Sequence, residues 1–308
     1  MDKEAAKITK LSNNIASSDQ LAELNPKFGV ISGLIYDFRE IFSKRQLLFR
    51  LTRRDIKSKY KNSSLGFFWS LAKPLALMLI YYIAIGKFLG ASRSIPDFVI
   101  FMFSGFAIWG LFSETISSST SSIISNSGLV KKVHLPRELF PLAAFLGSGF
   151  NFLIQLGLLL VVIALMGVFP FSANLLFVPA AVALITIFSL SLGLLFSALN
   201  VYMRDIQHLI EIALLILFWA SPIVYSFSFV HSALDNSLLE NIYLANPVTL
   251  GVIAMQKGLW EAGTLSPAQI WPDHLELRML VAIVFSLLLL VFSQRVFSRL
   301  EGNFAQEL

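Results

Sequence analysis

The sequence predicts an all-α integral membrane protein: six transmembrane helices per subunit, an N-terminal amphipathic interfacial helix, re-entrant external helices before the last span, and both termini cytoplasmic. Three observations predict it. Of 308 residues, 56% are hydrophobic and 14% charged, with a mean hydropathy of +0.72; a soluble domain carries about 25% charged residues. The apolar residues gather into runs of about the 20 residues needed to cross hydrocarbon. Lysine and arginine collect on one side of those runs, which sets the orientation.

Residues 1–30 read as a polar tail with a break at Asn25-Pro26. It has no apolar h-region, so the reading expects no signal peptide and makes the first span the insertion signal. Residues 31–62 change pattern. Leu34, Ile35, Phe38, Ile41, Phe42, Leu48 and Phe49 recur at helical spacing among Arg39, Lys44, Arg45 and Arg53. A basic amphipathic helix directly before a span is expected in the cytoplasmic headgroup layer, with packing on a soluble partner as the alternative.

Residues 63–300 hold the six runs, Phe67–Leu89, Phe98–Ile116, Leu139–Phe169, Leu175–Leu199, Ile206–Phe227 and Leu277–Phe297. Nineteen of the 24 Lys and Arg then fall on one side, thirteen of them before the first run, while Lys87, Arg93, Lys257 and Arg278 fall on the other and Lys73 lies inside the first run. Between the second and third runs, GLVKKVHLPRELFPL (128–142) reads as a short helix with apolar tips and basic flanks, a docking knob or a plain positive-inside loop. Between the fourth and fifth, Arg204-Asp205 interrupts ALNVYMRDIQHLIEIALLILFW (198–219). A charge pair is expensive at mid-bilayer, so it belongs at the cytoplasmic face.

Residues 228–276 form the long external segment. Within it, pieces around 238–245 and 248–260, joined at Asn246-Pro247, are expected to dip into the membrane as short helices. Residues 301–308 close the chain as a cytoplasmic tail.

Several chemistries are missing. With zero cysteines, disulfides and thiol catalysis are excluded. His134, His208, His231 and His274 lack metal-ligand spacing, no phosphate-binding loop is present, and no Gly-x-Ser-x-Gly elbow appears. Lys73, Glu114 and Glu211 lie toward the cytoplasmic ends of their runs, so no mid-depth relay for ion coupling is expected. Catalytic, cofactor-binding and metal residues are therefore expected to be none, and any energy source is expected to be borrowed.

Four stretches resemble the membrane-spanning (permease) subunit of bacterial ABC-type polysaccharide exporters, the O-antigen, teichoic acid and capsule family: RRDIKSKYKNSSLGFFWSLAKPL (53–75), GLVKKVHLPRELFPL (128–142), LGLLFSALNVYMRDIQHLIEIALLILFWASPIVY (192–225) and FSRLEGNFAQEL (297–308). Lys73 departs from the family's more usual neutral residue there, and the polar tail is longer than usual. The resemblance implies a homodimer with two cytoplasmic ABC ATPase subunits. ATP and Mg would sit on the partner ATPase, and a lipid-linked polysaccharide would be the substrate. Under it, Leu129, Val130, Leu135 and Pro136 would contact the ATPase, rimmed by Lys131, Lys132 and Arg137. Arg204 and Asp205 would form a charged post, or Asp205 would simply cap the next helix.

Trp69, Tyr81, Tyr82, Trp109 and Phe112 are candidate linings for a sugar path, because C–H faces of sugars stack on aromatic rings. The alternative is that they face lipid or other helices. Lys73 either snorkels to headgroups or meets the substrate's pyrophosphate at the entrance. Competing functions are the same architecture exporting a drug or small lipid, a membrane enzyme acting on lipid-linked sugars, and a passive structural protein.

Overall fold

A computed structural model describes residues 42–59, 68–132, 135–234 and 237–308. Residues 1–43 form one unit, of which only Phe42 and Ser43 are described, and residues 44–308 form the other. The tail at 1–30 and the first part of the amphipathic segment thus lie outside the described residues. Among the described residues all regular structure is helical.

Helix α1 (Arg45–Lys59) buries Leu51 and Thr52 and leaves Phe49, Arg50, Arg53 and Arg54 exposed. Its buried face lies on the later helix α6 of the same chain. Helix α2 (Phe68–Tyr81) continues as a π-helical stretch, Tyr82–Phe88, and Gly90 with φ 78° turns the chain into the short α3 (Ala91–Ser94).

Helix α4 (Phe98–Ser125) is 28 residues long and the most enclosed of the long helices. The expected second span ended at Ile116; the serines beyond it continue the helix. Ser122, Ser121 and Thr120 return hydrogen bonds to carbonyls three or four residues back, which satisfies their hydroxyls without breaking the helix. Helix α5 (Ser127–Lys132) follows after Asn126.

Helices α6 (Leu139–Met166) and α7 (Phe177–Tyr202, entered through a 3₁₀ turn at Ala173–Leu176) match the third and fourth runs. Both are long and apolar enough to cross a membrane. Helix α4 packs on α6 and α7. Gly193 of α7 makes the second contact close, because a Cβ there would lie 2.9 Å from the Ser119 Cβ.

The expected fifth span, Ile206–Phe227, is not one helix. Helix α8 (Ile206–Trp219) has 14 residues, about 21 Å at 1.5 Å per residue, short of about 30 Å of hydrocarbon. Pro222 explains the stop. It has no N–H to donate, and it disfavours helical geometry at the residue before it. Residues 221–224 are buried although they are not helical. The non-helical backbone from Ala220 onward is served by side chains of another helix, as irregular backbone inside a membrane protein requires: Gln256 Nε2 donates to the Pro222 carbonyl at 2.8 Å, and Thr249 Oγ1 to that of Ala220 at 3.3 Å.

After α9 (Phe227–Ala233), helices α10 (Ser237–Leu244) and α11 (Pro247–Leu259) meet at an 80° bend. This is the pair expected on either side of Asn246-Pro247. Asn246 caps α11 by accepting from the Val248 N–H at 3.0 Å, with Pro247 in the first turn. Twelve of the 13 residues of α11 are buried, mostly against α7 and α4. A Cβ on Gly251 would sit 2.6 Å from Ile185 of α7, so glycine permits that approach.

Helix α12 (Glu261–Leu265) leads toward α13 (Leu275–Leu300), which packs along α7 and passes a 3₁₀ turn into α14 (Phe304–Glu307). The Ser191 hydroxyl donates across the α7–α13 contact to the Ser286 carbonyl at 3.1 Å.

Among the described residues four helices are thus long and apolar enough to cross a membrane, or five if the bent pair counts as one. The six-span count expected from hydropathy requires α2 with its π-helical continuation, and α8 with the segment after it, to cross as shorter pieces.

Candidate functional site

One end of the helix bundle carries α5, the start of α6, the Arg204 turn and the end of α13; it holds Lys131, Lys132, Arg137, Arg204, Arg295 and Arg299. This basic end is assembled by short-range constraints. At the end of α4, Asn126 donates to the Ser122 carbonyl at 2.8 Å and accepts from Arg54 of α1. The Arg54 guanidinium also grips Asp55 at 2.7 Å. One arginine thereby joins the amphipathic helix to the point where α4 gives way to α5.

Within the 128–138 loop the expected contact residues divide. Lys131 and Lys132 are exposed, and Leu129, Leu135, Pro136 and Arg137 are half-buried. Val130 is only 6% exposed. It packs within this chain instead of presenting a knob outward, because α5 lies against the end of α4 and the C-terminal turn, and the helix face that carries Val130 is the buried one. At the end of the loop, Glu138 is buried and accepts from Gln294 Nε2 of α13 at 3.1 Å.

Arg204 and Asp205 are exposed in the turn between α7 and α8. Asp205 occupies the N-cap position of α8, but its backbone is helical and its side chain makes no capping hydrogen bond. Its contribution there reduces to a negative charge near a helix start. The preceding Tyr202 is fixed firmly, its hydroxyl donating to the Leu300 carbonyl at 2.8 Å.

The candidate path aromatics also separate. Tyr81 lies 5.4 Å from Phe106 and 6.0 Å from Phe218, and Trp109 lies 5.6 Å from Phe218. Tyr81 and Trp109 therefore share one half-buried aromatic cluster where α2, α4 and α8 meet. Tyr82 turns instead toward Phe98 at 6.5 Å and lies under the Lys87 ammonium. Phe112 is fully buried and stacked on Phe188 at 5.7 Å, with 5° between the ring planes. It fills the α4–α7 contact and backs the cluster through Trp109, whose ring is 5.6 Å away, without presenting a face of its own in this subunit. The side chains of Trp69 and Lys73 lie outside the described residues.

Phe106 and Phe218 were not singled out from the sequence. Phe106 stands three residues before Trp109 and so on the same helix face, a signal that was present. Nothing in the sequence placed Phe218 against them.

The arrangement offers surfaces rather than a reacting group: a basic end with half-buried apolar residues, and an aromatic cluster deeper in the bundle. Comparison with known proteins agrees with a transport role. Residues 46–260 match the family model described as ABC-2 type transporter. The chain is 30% identical over 88% of its length to an O-antigen export system permease protein RfbA of Myxococcus xanthus, covering 98% of that protein. It is 26% identical over 84% of its length to a protein of the same name from Klebsiella pneumoniae, covering 94% of it. The chain belongs to the ABC-2 type transporter membrane family.

Proposed function

We propose, from that family membership, that this chain is the membrane-spanning subunit of an ATP-driven exporter that moves a lipid-linked cell-envelope polysaccharide of the O-antigen kind across the cytoplasmic membrane. The single observation that carries the substrate class is the near full-length match to O-antigen export permeases. In this reading two copies pair around the path and two separate ABC ATPases dock at the basic end, which faces the cytoplasm with both termini. ATP and Mg belong to those partners. The chain crosses the membrane six times, and the bent α10–α11 pair enters from the outer side and returns.

The geometry supports a mechanical route. A force on α5 and the 128–138 loop acts at the end of α4, a 28-residue helix that runs back to Trp109 and the aromatic cluster. Leu129 and Leu135 provide apolar contact for an ATPase groove, with Lys131, Lys132 and Arg137 at its rim and Arg204-Asp205 beside it. Tyr81 and Trp109, joined by Phe106 and Phe218, offer ring faces that a sliding sugar chain can stack on without deep hydrogen-bonded traps. Lys73, near the start of the first span, is a candidate for the substrate's pyrophosphate.

A strain lacking this chain, analysed chemically for glycan held inside the cell, tests the reading. Lipid-linked polysaccharide should accumulate at the inner face and return to the surface when the chain is restored. Unchanged surface glycan overturns the substrate assignment, and a retained drug or small lipid in its place would mark the same machine with another cargo.

A further inference from the structure

The last eight residues, EGNFAQEL, contain one aromatic among mostly small and polar residues, a composition suited to a solvated tail. The structure gives that aromatic a different situation. Phe304 is fully buried. Its ring meets Phe297 of α13 edge-on at 5.5 Å and Tyr202 of α7 at 6.1 Å. The Arg137 guanidinium of the 128–138 loop lies over it at 5.7 Å. Helix α14 itself lies against α5 and the end of α7.

Three segments separated by long stretches of sequence therefore share one small apolar contact at the basic end. They are the loop at 128–138, the end of α7 two residues before Arg204, and the end of α13. Two polar links reinforce it, Tyr202 to Leu300 and Gln294 to the buried Glu138. Close-packed contacts resist graded deformation, so segments joined this way shift together.

We infer that the C-terminal turn is a brace, with Phe304 as a positioning residue that makes the 128–138 loop, the Arg204 turn and the end of α13 move as one body when the ATPases close. The inference rests on the reading of 128–138 as the coupling loop. Phe304 touches neither ATPase nor cargo; it acts by holding the segments that do. A force applied at α5 would then reach α7 and α13 through Phe304 as well as α4 directly.

The test uses the complete transporter with its ATPase, reading membrane abundance, ATPase association, ATP turnover and glycan exported per ATP. Phe304→Ala should insert, bind the ATPase and hydrolyse ATP, while export per ATP falls by roughly two- to thirtyfold, the range of couplings carried through packed networks. Phe304→Leu, which refills most of the volume, should recover most of the loss. Wild-type export per ATP in Phe304→Ala overturns the brace. Loss of ATPase association in a well-inserted Phe304→Ala subunit also overturns it, since the tail would then be a docking element.

A second measurement covers the case in which Phe304→Ala fails to accumulate. The chain has no cysteine, so spin labels on Gly128→Cys and Gln306→Cys, both exposed positions, report the α5–α14 distance within one subunit when the labelled copy is diluted into an excess of unlabelled subunit and paired with a cysteine-free ATPase. That distance should stay constant between nucleotide-free and ATP-bound transporter, and a change overturns the brace. Leu135→Asp separates the two readings. If it leaves ATPase association and export intact, the coupling-loop assignment fails. If it abolishes association while Phe304→Ala exports normally, only the brace fails.

Discussion

Arg204 and Asp205 show what one pair of residues can and cannot do. Both are exposed, and neither side chain has a hydrogen bond or ion pair with another described residue, although the Asp205 carbonyl accepts from the Leu209 N–H at 3.1 Å. Substituting them should therefore barely touch the subunit itself. Asp205→Ala removes only a charge near a helix start, worth about 0.3–1 kcal/mol at an exposed site, and thermal unfolding of the purified subunit should shift little. Arg204→Ala should leave the subunit equally stable but reduce ATPase co-purification; unchanged assembly and unchanged export would remove its functional role. Gly251 behaves oppositely. A side chain there would overlap Ile185, so Gly251→Val should cost about 1–3 kcal/mol or more by overpacking, read as earlier unfolding in detergent. The polar pair was visible in the sequence as an interruption of apolar runs. The tight approach at Gly251 was not, because a glycine in an apolar stretch looks the same whether it faces lipid or a neighbouring backbone.

Among elements, the α8–α11 relationship is the most informative. A hydropathy run from 206 to 227 reads as one span because Ser221 and Pro222 are only two residues in twenty-two. The chain nevertheless leaves the helix at Trp219, and Gln256 of α11 serves the freed Pro222 carbonyl. Gln256→Leu should strand that carbonyl and destabilise the subunit by about 1–3 kcal/mol, the desolvation cost of an unmet buried acceptor. Asn246→Ala should lose about 1 kcal/mol with the cap of α11. Both are measurable by thermal unfolding of the solubilised protein, and Asn246→Asp should retain most of the cap. The α10–α11 bend was legible, since Asn246-Pro247 is a helix-start signal placed between two apolar pieces. The burial of α11 on nearly every side was not legible, because its Gln256 and Lys257 resemble residues bound for water.

At the scale of the whole molecule, Lys131 and Lys257 lie at opposite ends of the bundle, and among the described residues the excess of Lys and Arg belongs to the end with Lys131. If that end is cytoplasmic, a membrane-impermeant thiol reagent applied outside should label a Lys257→Cys variant only to the extent that its half-buried position allows. A Lys131→Cys variant should stay protected until the membrane is opened. External labelling of Lys131→Cys would invert the topology and with it the docking of the ATPase. Lys73→Gln export rates address the entrance: a snorkelling lysine is replaceable without loss, whereas a pyrophosphate contact predicts slower export at unchanged ATPase binding.

Sequence alone determined that this chain lives in a bilayer, roughly where its helices run, which end is basic, and that it resembles exporter permeases. All of these follow from hydropathy, charge placement and local motifs, which are summed along the chain. The tertiary structure decided what faces what: Phe112 inward on Phe188, Val130 into its own subunit, Pro222 answered by Gln256, Phe304 wedged beneath Arg137. Those outcomes depend on contacts between residues far apart in the chain. In a sequence where more than half the residues are apolar, hydrophobicity cannot distinguish a side chain that meets lipid from one that meets protein.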